Sequence, residues 1–324
     1  MMKTMTNRKT AEFLRSHDHY LILNHRRPDG DAVGSAAALC RGLRAIGKEA
    51  VIWKNPQTTS RFLPYLEGME TEIVPEQATI VSVDMATENL LPMNGAQFAG
   101  KTVLSIDHHM SNEGYAEFTN VQPQCAACGE LLLEILKLLG PVDKTMAEAL
   151  YLAISTDTGC FQYSNVTGNT LRVAAELKDL GADIYPINKV MFGTKTIARL
   201  RLEAALTESV EFYAGGLVGV CTMTQALLNR VGADSNDTDD ISGFARGIEG
   251  VQIGVMIQEL KEGGAKISAR IIMLRTSARS WAAAAIKRRP VHRIRTAPSR
   301  QRNASWRRSP TAAWSWDERD HFSG

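Results

Sequence analysis

His25-Arg-Arg-Pro-Asp-Gly-Asp-Ala-Val-Gly34 places an imidazole and two carboxylates, Asp29 and Asp31, within seven residues. The apolar run Tyr20-Leu-Ile-Leu23 precedes it, and a small-residue helical pattern from Ala32 to Ile46 follows. This order predicts a strand, a tight loop and a helix. Pro28 fixes its own φ and Gly30 tolerates φ > 0, so the loop can turn its acidic side chains towards one point. A plainer reading makes the stretch an Asp-rich turn that caps a helix, with Asp31 as N-cap.

Further along, the pattern repeats in a form that favours the first reading. Ala50-Val-Ile-Trp53 supplies a second strand after Gly47, giving a β-α-β beginning. Thr79-Ile-Val-Ser-Val83 reads as a strand buried on both faces and ends in Asp84. Thr102-Val-Leu-Ser-Ile106 does the same and ends in Asp107-His108-His109. Helical patterns follow at Cys128–Leu139 and from Thr145 to about Ser155, and the second runs into a polar loop that begins with Thr156-Asp157. In an open parallel α/β sheet, ligands collect outside the carboxyl ends of the strands, and three strands here carry Asp or His at that end. Gly42-Leu-Arg-Ala-Ile-Gly47-Lys48 imitates a phosphate-binding loop, but it ends a helix instead of following a strand, and Glu49 stands where a Ser or Thr belongs.

A helix at about 169–180 ends at Gly181, and roughly 188–210 reads as a charged helical connector. A second, smaller α/β domain follows. Its strands are predicted at Val210–Tyr213, Leu217–Val220, Val251–Ile257 and Lys266–Arg270, with helices at Thr224–Arg230 and Ile241–Ile248. The fold class expected is therefore α/β, an N-terminal parallel-sheet domain with helices on both faces over 1–187, a connector at 188–210 and a smaller α/β domain over 211–270.

The composition narrows the function classes. The 324 residues are 44% hydrophobic and 22% charged, and the formal net charge of +2 gives no reason to expect a strong duplex binder. No stretch approaches the roughly 18–20 apolar residues of a membrane span, and the start lacks an apolar signal core, so the expected location is cytoplasmic, without a membrane partner. Five cysteines form no disulfide framework in a chain of this size, and Cys125-Ala-Ala-Cys128 lacks two further ligands for a closed zinc site; both cysteines are expected reduced at a helix start.

Five carboxylates (Asp29, Asp31, Asp84, Asp107 and Asp157) converging with His25, His108 and His109 would repel and raise one another's pKa unless cations neutralise them. Oxygen-rich ligation with imidazoles and no thiolate favours Mn²⁺, with Mg²⁺, Fe²⁺ or Co²⁺ as alternatives. The donors outnumber the needs of one ion. Two ions roughly 3.5–4 Å apart, with one aspartate between them, fit the count and suit phosphoester hydrolysis.

Taken together, HxxPDGDxxGS at 25–35, the strand-end Asp84, Asp107-His-His109 and Asp157-Thr-Gly-Cys-Phe161 resemble the four motifs of the DHH phosphoesterases. Asp239-Asp-Ile-Ser-Gly-Phe-Ala-Arg-Gly-Ile-Glu-Gly250 is similar to the C-terminal DHHA1 domain of the branch containing bacterial nano-RNases, oligoribonucleases that also dephosphorylate 3′-phosphoadenosine 5′-phosphate (pAp). The resemblance covers about residues 10–270. It implies that His25, Asp29 and Asp84 hold one Mn²⁺ and that Asp31, Asp84, His108 and Asp157 hold the other, with Asp84 as bridge. It further implies that Asp107 orients a neighbouring histidine, that His109 contacts the scissile phosphate, and that a metal-bound hydroxide attacks phosphorus. Arg26, Arg27, Arg246 and Arg270 are expected phosphate or substrate contacts. The partner is then short single-stranded RNA or a mononucleotide bisphosphate, and a homodimer is the candidate assembly.

The chain departs from the family after about residue 270, where a glycine-rich GGGH segment that grips the terminal nucleotide is missing. Residues 271–324 hold eleven Arg against three acids, with four of the five tryptophans and no helical or strand period. Such composition fits a natural basic tail, disordered or bound to an anionic partner, or out-of-frame translation of a GC-rich gene. The alternatives to a nano-RNase are a phosphodiesterase of linear or cyclic dinucleotides, a RecJ-like single-strand exonuclease, a pyrophosphatase, or a metal-binding regulatory protein that has lost its substrate grip.

Overall fold

The computed structural model describes residues 3–238, 240–261 and 263–271, without the side chains of Arg270 and Ile271. The expectations about the basic, Trp-dotted tail fall outside the described residues. The chain forms two compact units, one taking in residues up to Ala204 together with Arg230–Asp239, the other Ala205–Asn229 and the described residues from Asp240 onward.

The first unit is built on a parallel sheet of seven strands among the described residues: β1 (Lys3–Thr4), β2 (Tyr20–Leu23), β3 (Ala50–Trp53), β4 (Glu70–Thr71), β5 (Thr79–Val83), β6 (Leu104–Asp107) and β7 (Phe118–Val121). Their order is β1-β7-β6-β5-β2-β3-β4. From β2 the chain steps outward to β3 and then returns to the other side of β2 with β5, so the direction of winding reverses between β2 and β5. In open parallel sheets that reversal opens a crevice at the carboxyl ends, and the His25 loop and Asp84 leave the sheet there.

Alternation along the strands sorts the core. Tyr20, Ile22, Ile52, Val81, Val83, Leu104 and Ile106 join one large buried cluster with the helices. Leu21, Leu23, Trp53 and Ile80 point the other way and pack with Phe98 and Leu91. The helical face carries α1 (Asn7–Ser16), α2 (Gly30–Ala45), α4 (Cys128–Leu139) and α5 (Lys144–Asp157), with a short α3 (Leu63–Leu66), α6 (Gly168–Asp179) and α7 (Ile184–Met191) beyond. The opposite face is covered by the segment containing two 3₁₀ helices, Glu88–Leu90 and Ala96–Phe98.

Close approach of α2 to α5 is a glycine effect. A Cβ on Gly34 would lie 2.2 Å from the Ala149 carbonyl oxygen, and one on Gly30 would lie 2.3 Å from Thr156 Oγ1. Gly129 at the start of α4 meets Ala153 in the same way, at 2.7 Å. Small residues thus bring the starts of α2 and α4 against the end of α5, where the acidic residues sit.

Three expectations need correction. The N-cap of α2 is Asp29, whose side chain accepts from the N–H groups of Asp31 and Ala32, while Asp31 lies inside the helix. Asp157 is the last residue of α5 instead of a loop residue, because the helix runs two residues further than its apolar pattern suggests. The connector is two helices, α7 and α8 (Ile197–Ser209); the break falls at residues 192–196, where Thr196 Oγ1 accepts from the Arg199 N–H and starts α8 afresh. The strands β1 and β4, two polar residues each, and β7, Phe-Thr-Asn-Val, were invisible to pattern, since none contains an apolar run.

The second unit is a mixed sheet of β8 (Glu211–Tyr213), β9 (Val218–Met223), β10 (Ile253–Glu259) and β11 (Ala265–Ile271) in the order β11-β10-β9-β8. β8 and β9 form a hairpin, β9 and β10 run parallel, and β10 pairs antiparallel with β11. Between β9 and β10 come α9 (Gln225–Val231) and a 3₁₀ helix, Ile241–Gly247. Gly254 on β10 lets the 3₁₀ helix press onto the sheet, for a Cβ there would lie 2.6 Å from the backbone nitrogen of Arg246.

Candidate metal centre

Three strand ends and two helix ends deliver the site. The loop after β2 carries His25 and Asp29, the start of α2 carries Asp31, the ends of β5 and β6 carry Asp84 and Asp107-His108-His109, and α5 ends in Asp157. Asp84 adopts φ 53, the left-handed conformation that a non-glycine residue enters at a cost of roughly 1–2 kcal/mol. That twist ends the strand and leaves the carboxylate 2% exposed among three imidazoles.

Backbone carbonyls aim two of the three imidazoles. His25 Nδ1 bonds the Arg26 carbonyl at 2.9 Å, and His108 Nδ1 bonds the Cys125 carbonyl at 3.2 Å. A carbonyl only accepts, so each Nδ1 carries the proton and each Nε2 is turned to the carboxylates. His25 Nε2 lies 3.8 Å from Asp29 Oδ1 and 3.7 Å from Asp84 Oδ2. His108 Nε2 lies 3.4 Å from Asp84 Oδ1, 3.6 Å from Asp31 Oδ2 and 3.7 Å from Asp157 Oδ2. The two oxygens of Asp84 therefore face two different donor groups.

Asp31 is held by the start of α4. Its Oδ2 accepts from the Cys128 N–H at 2.6 Å, and its Oδ1 accepts from the Gly129 N–H at 3.1 Å and from Ser35 Oγ at 2.9 Å. Asn165 donates to the carbonyls of both Ala126 and Asp157, tying the loop after α5 to the approach of α4. Asp107 is fully buried and accepts from His109 Nδ1 at 2.7 Å, from the N–H groups of His108 and His109, and from Asn112 Nδ2 at 2.7 Å. Since a carboxylate only accepts, His109 Nδ1 is the donor and Nε2 is left for another partner.

The charges show what the cluster is built for. Burial, then the charges of Asp84, Asp157 and Asp29, push Asp31 well above the carboxylate range despite His108. Burial and the charges of Asp84 and Asp29 lift Asp157 to about 7. Burial opposes the charge on His108, yet Asp84, Asp31 and Asp157 raise it to about 10. His25 also rises well above its ordinary value, because Asp29 and Asp84 outweigh burial. Protons are thus recruited where negative charge is crowded, and a divalent cation would replace them.

Asp84 Oδ1 is buried and accepts no hydrogen bond from any described residue. Groups of donors within 4.8 Å of one another form at His25–Asp29–Asp84, at Asp31–His108–Asp157 and at Asp84–His108–His109. Oxygen donors with imidazole Nε2 atoms, an unsatisfied carboxylate oxygen and shifted pKa values fit divalent cations, and no cysteine Sγ belongs to these groups.

The remaining candidates stand apart. Arg26 and Arg27 are exposed on the loop after β2. Arg246 lies on the 3₁₀ helix of the second unit, half-buried, and the side chain of Arg270 falls outside the described residues. Cys125 and Cys128 are free thiols, Cys128 being the first residue of α4. Sequence reasoning missed Ser35, Asn112, Tyr115, Asn165 and the N–H groups of Cys128 and Gly129. Two carried a signal: Ser35 closes the HxxPDGDxxGS motif, and Asn112 lies three residues past His109 in a polar loop.

Residues 19–154 match the model of the DHH family, N-terminal domain. A bifunctional oligoribonuclease and PAP phosphatase NrnA of Thermus thermophilus is 34% identical over 272 residues, covering 81% of this chain and 79% of that protein. The protein of the same name in Bacillus subtilis is 25% identical over 250 residues, covering 75% of this chain and 78% of its own. Among solved structures, an exopolyphosphatase-related protein of Bacteroides fragilis superposes with a TM-score of 0.72 at 22% identity, over 82% of this chain and 83% of that one, a likeness of fold. With the strand-end residues gathered as described and a relative of this similarity across most of its length, the chain belongs to the DHH family and is a hydrolase of phosphoester bonds.

Proposed function

We propose that the first unit, as a catalytic domain over 1–187, holds two divalent cations and hydrolyses the phosphoester bonds of short oligoribonucleotides and of pAp. The observation that carries this reading is the division of Asp84, Oδ2 towards His25 and Oδ1 towards His108. His25, Asp29 and Asp84 would hold one cation, and Asp31, Asp84, His108 and Asp157 the other. Manganese suits this donor set, with Mg²⁺, Fe²⁺ and Co²⁺ as alternatives. Bound there, the ions supply positive charge against the phosphate oxygens and lower the pKa of water.

The chain's own residues do the rest. Asp107 fixes the His109 ring and, against the effect of burial, raises its proton affinity together with Asp84, so that the doubly protonated ring can donate from Nε2 to a phosphate oxygen. Arg26 and Arg27, exposed beside His25, offer charge-assisted hydrogen bonds to the same group. The segment over 211–270 is the substrate-binding domain in this reading, with Arg246 and Arg270 as its contacts. The names of the Thermus and Bacillus relatives support the choice of substrates.

The test is hydrolysis of pAp and of a diribonucleotide by the full chain, with Mn²⁺ and with chelator, beside Asp84→Ala. Metal-dependent phosphate release that the variant lacks supports the proposal. No release from a folded protein that binds Mn²⁺ sinks it, and faster turnover of a cyclic dinucleotide than of either substrate moves the assignment to second-messenger hydrolysis.

A further inference from the structure

The residues after His109 turn back across the ends of β5 and β6, and two side chains there stitch the strands together. Asn112 Nδ2 donates to Asp107 Oδ2 at 2.7 Å and to the Met85 carbonyl at 3.4 Å, while its Oδ1 accepts from the Gly114 N–H at 2.9 Å. Tyr115 Oη bonds Ser82 Oγ at 2.7 Å and donates to the same Met85 carbonyl at 2.9 Å. Met85 directly follows Asp84, the residue held at φ 53.

A primary amide is the group this place calls for. Its nitrogen has two hydrogens, and both are used, on acceptors from neighbouring strands. A flipped amide would set its oxygen against a carboxylate and a carbonyl, so the orientation is fixed. Asp could donate neither bond, and Ser could donate one. On the other side, Asp107 spends Oδ1 on His109 Nδ1 and on two backbone N–H groups, so Asn112 holds its Oδ2. Without that bond one oxygen of a fully buried carboxylate loses its partner, and the group can rotate away from His109.

We propose that Asn112 is a positioning residue of this centre, which locks the Asp107 carboxylate and through it the ring of His109. The inference rests on the proposed hydrolysis of pAp for its kinetic part only. Asn112→Ala is expected to lower kcat/KM for pAp by roughly 10–100-fold, as for other partners that orient ligands from behind. The loss should fall mainly on kcat at saturating Mn²⁺. In a His109→Ala background the same substitution should cost less than about threefold more, because the ring it orients is gone.

The second readout needs neither substrate nor metal. The hydrogen-bonded Nδ1–H proton of His109, identified in NMR spectra by its absence from His109→Ala, should vanish or broaden in Asn112→Ala and persist in Tyr115→Phe, which leaves Asp107 and Asn112 paired. Wild-type kcat/KM in Asn112→Ala, a full multiplicative loss in the double variant, or loss of the proton signal in both single variants would overturn the proposal. If Asn112→Ala does not fold, Asn112→Leu, which fills the space and donates no hydrogen bond, is read in the same two backgrounds by the same criteria. Should the wild type fail to hydrolyse pAp, the proposed substrate assignment falls, and the imidazole proton alone decides the role of Asn112.

Discussion

Asp84 Oδ1 lies 3.4 Å from His108 Nε2 and yet accepts no hydrogen bond from any described residue. A buried carboxylate oxygen left in this state costs free energy comparable to a lost hydrogen bond, and a cation at the position is the simplest remedy.

Replacing Asp84 by Asn tests the charge separately from the backbone, since Asn also tolerates the left-handed φ. The metal-free variant should melt at a higher temperature than the metal-free wild type, because one of several crowded negative charges is gone. Added Mn²⁺ should no longer raise the melting temperature, and hydrolysis should fall more than roughly 100-fold, beyond what a merely orienting partner costs. A lower metal-free melting temperature together with an unchanged Mn²⁺ increment would contradict the bridging role.

The pH dependence of stability follows from Asp157 at about 7 and His108 at about 10. Both groups bind protons more tightly folded than unfolded, so the native state holds more protons from about pH 4 to 7 for the aspartate and from about 6.5 to 10 for the histidine. Stability from these groups is therefore full at low pH and is lost as pH rises through the two folded values. Melting curves of chelated protein between about pH 5.5 and 8.5 should shift downward, while Mn²⁺ should give an increment that grows with pH as it displaces those protons. An increment independent of pH would show that these groups do not take up the metal.

Gly34 is where α2 touches α5. Gly34→Ala would place a methyl 2.2 Å from the Ala149 carbonyl oxygen, and overpacking of this kind costs about 1–3 kcal/mol even though Ala is the better helix former. Urea unfolding should register a reduced midpoint, with a smaller Mn²⁺ increment as Asp31 and Asp157 move apart. A midpoint equal to the wild type would mean that the helices separate at no cost.

Burial, helped by the charges of Glu130 and Asp31, pushes the Cys125 thiol up to about 12, and Cys128 is fully buried with its thiol raised as well. At pH 8 the thiolate fraction of Cys125 is on the order of 10⁻⁴, so iodoacetamide should label neither cysteine at an appreciable rate until the protein is unfolded. Rapid labelling of the native protein at Cys125 would be inconsistent with this environment.

Much of the first unit was legible because its information is local. Strands β2, β5 and β6 are apolar runs with Asp or His at the carboxyl end, and α2 and α4 begin at small or capping residues, so ordinary periodicity finds them. Asp157 was located but assigned to a loop, for the last turn of α5 carries Ser and Thr where an apolar pattern would be needed. β1, β4 and β7 exist by pairing with neighbours, and their short, largely polar sequences do not foretell it. In the second unit the hairpin and the β10–β11 pair announced themselves through Gly-rich turns, whereas the parallel pairing of β9 with β10 joins residues far apart in the chain.

The amino-acid sequence by itself determined the α/β class, the strand ends on which chemistry could sit and the excess of carboxylates that asks for cations. Only the tertiary structure decided which oxygen of Asp84 faces which imidazole, that the start of α4 grips Asp31, and that Asn112 holds Asp107 from behind. Strand ends follow from short-range pattern and chain direction. Those contacts depend instead on how closely helices approach across glycines and on a left-handed twist at one aspartate, which the packed whole enforces at a local cost that no short stretch of sequence displays.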